Sequence, residues 1–186
     1  HGVPSEANAH PHVSRDEIAL VHNGIIENHV ELRERLQGLG YTFGSETDTE
    51  TVVHLVHHFY QSTGNLTAAL RAAVRDLEGA FALGVVHRDE PERLVAARKG
   101  SPLVVGLGIG ENYVASDVLA LRAVTDRFIF LEEGDLVEIT RDDVSIYDLD
   151  DASVVRVAVR VEMGAEDTDK GNYRHHMLKE IHQQPT

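Results

Sequence analysis

The chain has 186 residues, of which 42% are apolar and 26% charged, a balance that suits one globular domain and excludes a disordered chain. Its 17 Lys and Arg against 31 Asp and Glu leave a formal charge of −14, which disfavours nucleic acid and anionic membrane surfaces as partners. No stretch approaches the roughly eighteen apolar residues of a membrane span, and with no cysteine present these residues hold no disulfide, thiolate metal centre or cysteine nucleophile.

Residues 1–16 are polar and rich in turn formers, with too little apolar periodicity to predict an element. The first residue is His1 rather than methionine, and the chain is expected to begin inside a longer reading frame. Ile18-Ala19-Leu20-Val21 predicts a short buried strand ending in a tight turn at Asn23-Gly24. Val30, Leu32, Leu36 and Leu39 define the apolar face of a helix over 29–39, closed by Gly40. A brief strand is expected at Tyr41-Thr42-Phe43.

Thr47 and Glu50 have the spacing of a capping box, and Val52, Val53, Val56, Phe59 and Tyr60 give the helix after them an apolar face. Asn65 can cap a further helix that carries Leu66, Leu70, Ala73, Val74 and Leu77 on one side. After Gly79 short β-rich runs follow at 81–86, 94–97, 103–105, 113–115, 128–131, 136–140, 144–147 and 154–161. Gly, Asp and Pro punctuate them as hairpin turns would, so the layout is α+β with antiparallel sheets. The stretch 164–171 reads as a loop, and 177–184 could begin a helix that Pro185 interrupts.

Several residue sets invite a chemical reading. His54, His57 and His58 share one predicted helix, but no Glu stands between them in a His-Glu-x-x-His arrangement, so packed or solvated histidines are expected and no metal site. His10 and His12 flank Pro11 in a loop. Gly106-Leu107-Gly108-Ile109-Gly110 lies between two strands and lacks the Lys-Ser/Thr ending of a phosphate loop, so it predicts a hairpin turn. Glu132-Glu133 and Asp142-Asp143 are neighbours that point to opposite faces, which suits solvated turns rather than an acid/base pair. Ser101, Ser116 and Ser145 lack a Gly-x-Ser-x-Gly context.

Asn23-Gly24 differs in kind. A strand ending there brings a side-chain amide donor and an unhindered backbone N–H to one point, where they could stabilise an oxyanion or simply turn the chain. Asp48 is likewise open: it can complement a helix dipole or hold an ammonium group in a cleft.

Three segments carry a specific resemblance: residues 1–12, His-Gly-Val-Pro-Ser-Glu-Ala-Asn-Ala-His-Pro-His; residues 21–28, Val-His-Asn-Gly-Ile-Ile-Glu-Asn; and residues 45–50, Ser-Glu-Thr-Asp-Thr-Glu. With 100–108, Ala115-Ser116-Asp117, 131–135 and 170–181, they resemble the glutaminase domain of the glucosamine-6-phosphate synthase family, over nearly the whole chain. The Asn-Gly pair alone would fit other N-terminal-nucleophile amidotransferases, such as amidophosphoribosyltransferase and asparagine synthetase; residues 45–50 and the 170–181 tail favour the glucosamine branch.

The resemblance implies a four-layer α-β-β-α sandwich with its N-terminal strands missing, a glutamine amidotransferase domain over 1–163 and a linker over 164–186. In that family an N-terminal cysteine attacks the carboxamide of glutamine, ammonia travels to a sugar-isomerising domain, and water frees glutamate. Carried over, Asn23 and Gly24 would bind the oxyanion, Asp48 would hold the substrate ammonium, and His1 and Gly24 would line the glutamine pocket. No cofactor and no metal is implied; the partners are L-glutamine and the sugar-isomerase domain, in a cytoplasmic, homodimeric parent protein.

The cysteine nucleophile and the arginine that clamps the glutamine carboxylate are expected upstream of His1, so the chain as written is expected not to hydrolyse glutamine. A catalytically dead interaction or regulatory module is the competing reading.

Overall fold

The computed structural model describes residues 3–161; His1, and the linker, loop and helix expected over 164–186, lie outside the described residues. The strands are β1 (His12–Ser14), β2 (Ile18–Ile26), β3 (Gly79–His87), β4 (Leu94–Lys99), β5 (Val104–Leu107) and β6 (Asn112–Ala115). They continue as β7 (Arg127–Phe130), β8 (Leu136–Ile139), β9 (Val144–Tyr147), β10 (Ser153–Val154) and β11 (Ala158–Arg160). Three helices, α1 (His29–Gly38), α2 (Asp48–Thr63) and α3 (Leu66–Asp76), lie between β2 and β3, and 3₁₀ turns occupy Glu6–Asn8 and Val118–Leu121.

The strands form a seven-stranded sheet, ordered β1-β2-β3-β4-β8-β9-β10, and a four-stranded sheet, ordered β11-β7-β5-β6. Each pairing between neighbours is antiparallel. The helices cover one face of the larger sheet, and Leu36, Val52, Leu55, Leu70, Phe81, Leu83 and Leu136 fill the core between them. The smaller sheet packs on the opposite face, where Ala82, Ala96, Val105, Ile129, Val137 and Ile146 form a second core. Val104, Leu121 and Phe128 pack on the outer side of the smaller sheet, under the Val118–Leu121 turn.

The two-residue period of a strand explains this partition. Neighbours such as Ala82 and Leu83, or Leu136 and Val137, are both buried, but in different cores. Strands covered on both faces therefore read as continuous apolar runs rather than alternating ones.

Several expectations are corrected. Asn23-Gly24 is not a turn: β2 runs through it to Ile26 in register with β3, pairing Asn23 with Ala82 and Gly24 with Phe81. Residues 1–16 do hold elements, a 3₁₀ turn and β1, which short polar sequence hides and pairing to β2 creates. Tyr41–Phe43 forms no strand; its side chains pack against the helices instead. The run at 154–161 splits, with β10 on the larger sheet and β11 on the smaller. Leu32 and Leu36 anchor α1, whereas Val30 and Leu39 are exposed. The 106–110 glycine segment is the expected hairpin turn, with the Gly108 N–H bonded to Glu111 O at 3.0 Å and φ +70° at Gly110.

Candidate functional site

β1 pairs only with Ile18–Leu20 of β2, so residues 21–26 of β2 have β3 on one side and an open edge on the other. The first turn of α2 and the segment before β1 close over that edge. They enclose a cavity of about 240 Å³ lined by Asn8, His10, His22, Asn23, Gly24, Thr47, Asp48 and Thr49. Three residues expected at the site, Asn23, Gly24 and Asp48, thus meet at one place although 24 positions separate Gly24 from Asp48 in the chain.

The start of α2 is fixed by its own sequence. Thr47 caps it, its hydroxyl accepting the Glu50 N–H at 3.2 Å. Glu50 does not return to the Thr47 N–H as a full capping box would; it accepts Gly44 N–H at 2.8 Å, Ser45 N–H at 2.7 Å and the Ser45 hydroxyl at 2.6 Å. Burial works to raise the Glu50 carboxyl, but these bonds and the nearby His54 outweigh it and hold it below the usual carboxylate range.

Asp48 is the first residue of α2 and is buried. Its Oδ2 accepts the Ile26 N–H at 2.9 Å, while Oδ1 accepts no hydrogen bond among the described residues and lies 4.0 Å from His22 Nδ1. Ile26 therefore sends its N–H outward, away from β3. By the two-residue period, the Gly24 N–H lies along the same open edge. Gly24 has φ +128°, and a Cβ there would stand 2.1 Å from Ala80 O. Only glycine fits that close approach.

Sequence reasoning assigned no place in the site to His22, Thr49, Thr47, His10 or Asn8, all of which line the cavity. His22 had a signal, since strand alternation places it opposite in direction to exposed Asn23 and toward the helices. His54, His57 and His58 do not converge on a common point. His54 bonds Ser14 Oγ at 2.8 Å and Thr42 O at 3.1 Å, while His57 bonds Tyr41 OH at 2.7 Å and Glu17 Oε2 at 3.1 Å. Glu132-Glu133 lies in the β7–β8 connection, where Glu133 accepts the Gly100 N–H. Among the described residues no helix is long and apolar enough to cross a membrane.

The profile of a family described as the glutamine amidotransferase domain matches residues 2–123. Glutamine–fructose-6-phosphate aminotransferase [isomerizing] of Pseudomonas aeruginosa is 63% identical over 186 residues, which is 100% of this chain and 30% of that protein. The Shewanella oneidensis protein of the same name is 56% identical over 185 residues, again covering 30% of its length. The chain thus spans about 30% of the curated relatives it matches.

Among solved structures, the glutamine phosphoribosylpyrophosphate amidotransferase of B. subtilis aligns with TM-score 0.64 at 24% identity, covering 78% of this chain and 32% of that one. A glutamine aminotransferase class-II domain protein from Silicibacter pomeroyi aligns with TM-score 0.54 at 17% identity, covering 77% of this chain and 72% of that one. At those identities the likeness is one of fold, and the fold is α+β with antiparallel sheets, shared with these amidotransferase structures. An open strand edge, a buried carboxylate with one free oxygen and an Asn-Gly pair meet on that fold, and the chain belongs to the glutamine amidotransferase domain family.

Proposed function

We propose that this chain carries the oxyanion-binding and ammonium-binding half of a glutaminase site, within a larger aminotransferase that moves the amide nitrogen of glutamine to fructose 6-phosphate. The observation that carries the proposal is the convergence of Asn23, the outward Gly24 N–H and the free Oδ1 of Asp48 on one cavity. The shared name of relatives up to 63% identical across the chain supports the choice of acceptor sugar.

The 186 residues contain no cysteine, so the attacking thiolate comes from elsewhere in the whole polypeptide. It adds to the side-chain carbonyl carbon of glutamine, and the carbonyl π pair moves onto oxygen. The Asn23 carboxamide and the Gly24 N–H donate to that oxyanion. The amide nitrogen takes a proton and leaves as ammonia, and water opens the resulting thioester to glutamate. Asp48, with Oδ2 pinned by Ile26, offers Oδ1 to the substrate α-ammonium. His1, outside the described residues, would line the pocket beside Gly24. The same reading makes the whole protein cytoplasmic and homodimeric, with a sugar-isomerase domain receiving the ammonia.

Glutamate release by the whole polypeptide tests the assignment. Asn23→Ala should lower kcat by on the order of a hundredfold with KM little changed, as expected for loss of one oxyanion donor. Asp48→Asn should chiefly raise KM. Near-normal turnover of the first variant, or an unchanged KM in the second, overturns the corresponding role.

A further inference from the structure

His22 stands on β2 with its side chain only 2% exposed, packed beside the first turn of α2. Its Nδ1 lies 3.0 Å from Thr49 Oγ1 and 4.0 Å from Asp48 Oδ1. Its Nε2 is buried and has no hydrogen-bond partner among the described residues. Thr49 Oγ1 lies 3.4 Å from His10 Nε2 as well.

These contacts assign the tautomer. A carboxylate on the Nδ1 side favours the proton there, so Nδ1–H donates to the Thr49 hydroxyl, and that hydroxyl in turn donates to His10 Nε2. The chain of bonds holds the ring against the one oxygen of Asp48 that the Ile26 N–H leaves free. Asp48 is also the one carboxylate among the described residues lining the cavity.

Charge on the ring would alter that site. An imidazolium 4.0 Å from Oδ1 would compete with a substrate ammonium for the same carboxylate. Burial pushes the His22 imidazole below the ordinary histidine value, Asp48 pulls it upward, and His10 and His12 push it down again. Among the described residues, the titratable groups facing the ring are Asp48 from α2, His12 from β1 and His10 from the segment before it.

We propose that His22, held by Thr49, is a positioning residue for the ammonium anchor: as an uncharged ring it fixes Asp48 beside the cavity and leaves the full carboxylate charge to glutamine. The inference rests on the glutaminase reading above, and makes glutamine affinity, rather than turnover, the quantity that His22 governs. Protonation of the ring then weakens glutamine binding as pH falls.

The test is the pH dependence of KM and kcat for glutamine hydrolysis by the whole polypeptide, between about pH 7.5 and 5, a window extended to the acid side because burial lowers the His22 imidazole. In the unaltered enzyme KM rises toward acid, by up to about tenfold per pH unit once the ring is mostly charged. His22→Asn keeps an N–H donor for Thr49 but cannot take a charge, and it should flatten that acid rise. Thr49→Val removes only the hydroxyl and should raise KM roughly three- to tenfold near neutrality, the worth of one hydrogen bond between neutral groups. An acid rise of KM that persists in His22→Asn, or a fall in kcat with KM unchanged in both variants, overturns the positioning role. If His22→Asn does not fold, an unchanged KM in Thr49→Val is sufficient to overturn it. A whole polypeptide that releases no ammonia from glutamine at any pH instead overturns the glutaminase reading itself.

Discussion

At Gly24 the constraint is steric. A Cβ would overlap Ala80 O at 2.1 Å and Phe81 Cα at 2.8 Å, and φ +128° disfavours every side chain. Gly24→Ala should therefore destabilise the fold by about 3 kcal/mol or more, combining a strained backbone with displacement of β3. Gly38, at the end of α1, is the contrast: a Cβ there meets nothing within 4 Å, so Gly38→Ala should stabilise by up to about 1 kcal/mol. Urea midpoints of the two variants check both signs. The sequence read Asn23-Gly24 as a turn, whereas both residues lie within β2. Asn-Gly is a strong local turn signal, and only β3 running alongside keeps residues 18–26 extended.

Among the elements, α2 shows which features are local. Its cap was legible because Thr47 and Glu50 act within four residues. The other half of the box was not, since the Glu50 carboxylate serves the Gly44-Ser45 loop instead. Glu50→Gln leaves one amide oxygen for N–H groups at both Gly44 and Ser45 and turns an NH₂ toward one of them. The expected cost is about 1–3 kcal/mol, read as a lower denaturation midpoint, with helix content retained. The α3 cap behaves as its sequence suggests: Asn65 Oδ1 accepts the Ala68 N–H at 2.9 Å. Tyr41–Phe43 shows the opposite outcome. Its β propensity loses to burial of Tyr41 against His54 and His57 and of Phe43 against His54.

On the scale of the whole molecule, buried histidines tie the fold to pH. His12, His22, His54 and His57 all lie in or beside the contact between α2 and the larger sheet, and burial lowers each below the ordinary value of 6.5. A lowered histidine pKa means that the unfolded chain binds more protons than the folded one below about pH 6.5. Stability is then fully present above that value and is lost as pH falls toward the folded pKa values. The urea midpoint should be flat above about pH 7 and decline toward pH 5. His54→Gln should lessen the decline. A midpoint that rises on acidification would contradict the sign. Ser14 and Thr42, the His54 partners, come from separate segments, so this network was hidden in the sequence although each histidine was visible.

Local chemistry was written in the chain itself: composition, helix caps, the 106–110 hairpin and most β-runs are readable at short range, because each depends on neighbouring residues, and Asn23, Gly24 and Asp48 were named as candidates from a matching segment. The cavity was not. It exists because β1 begins only at His12, opposite Leu20, leaving the edge of β2 beyond Leu20 open for the first turn of α2 to close over, and because Ile26, 22 positions away, pins Asp48. Those are long-range pairings, set by which faces must be buried together, and periodicity along one segment carries no record of its partner.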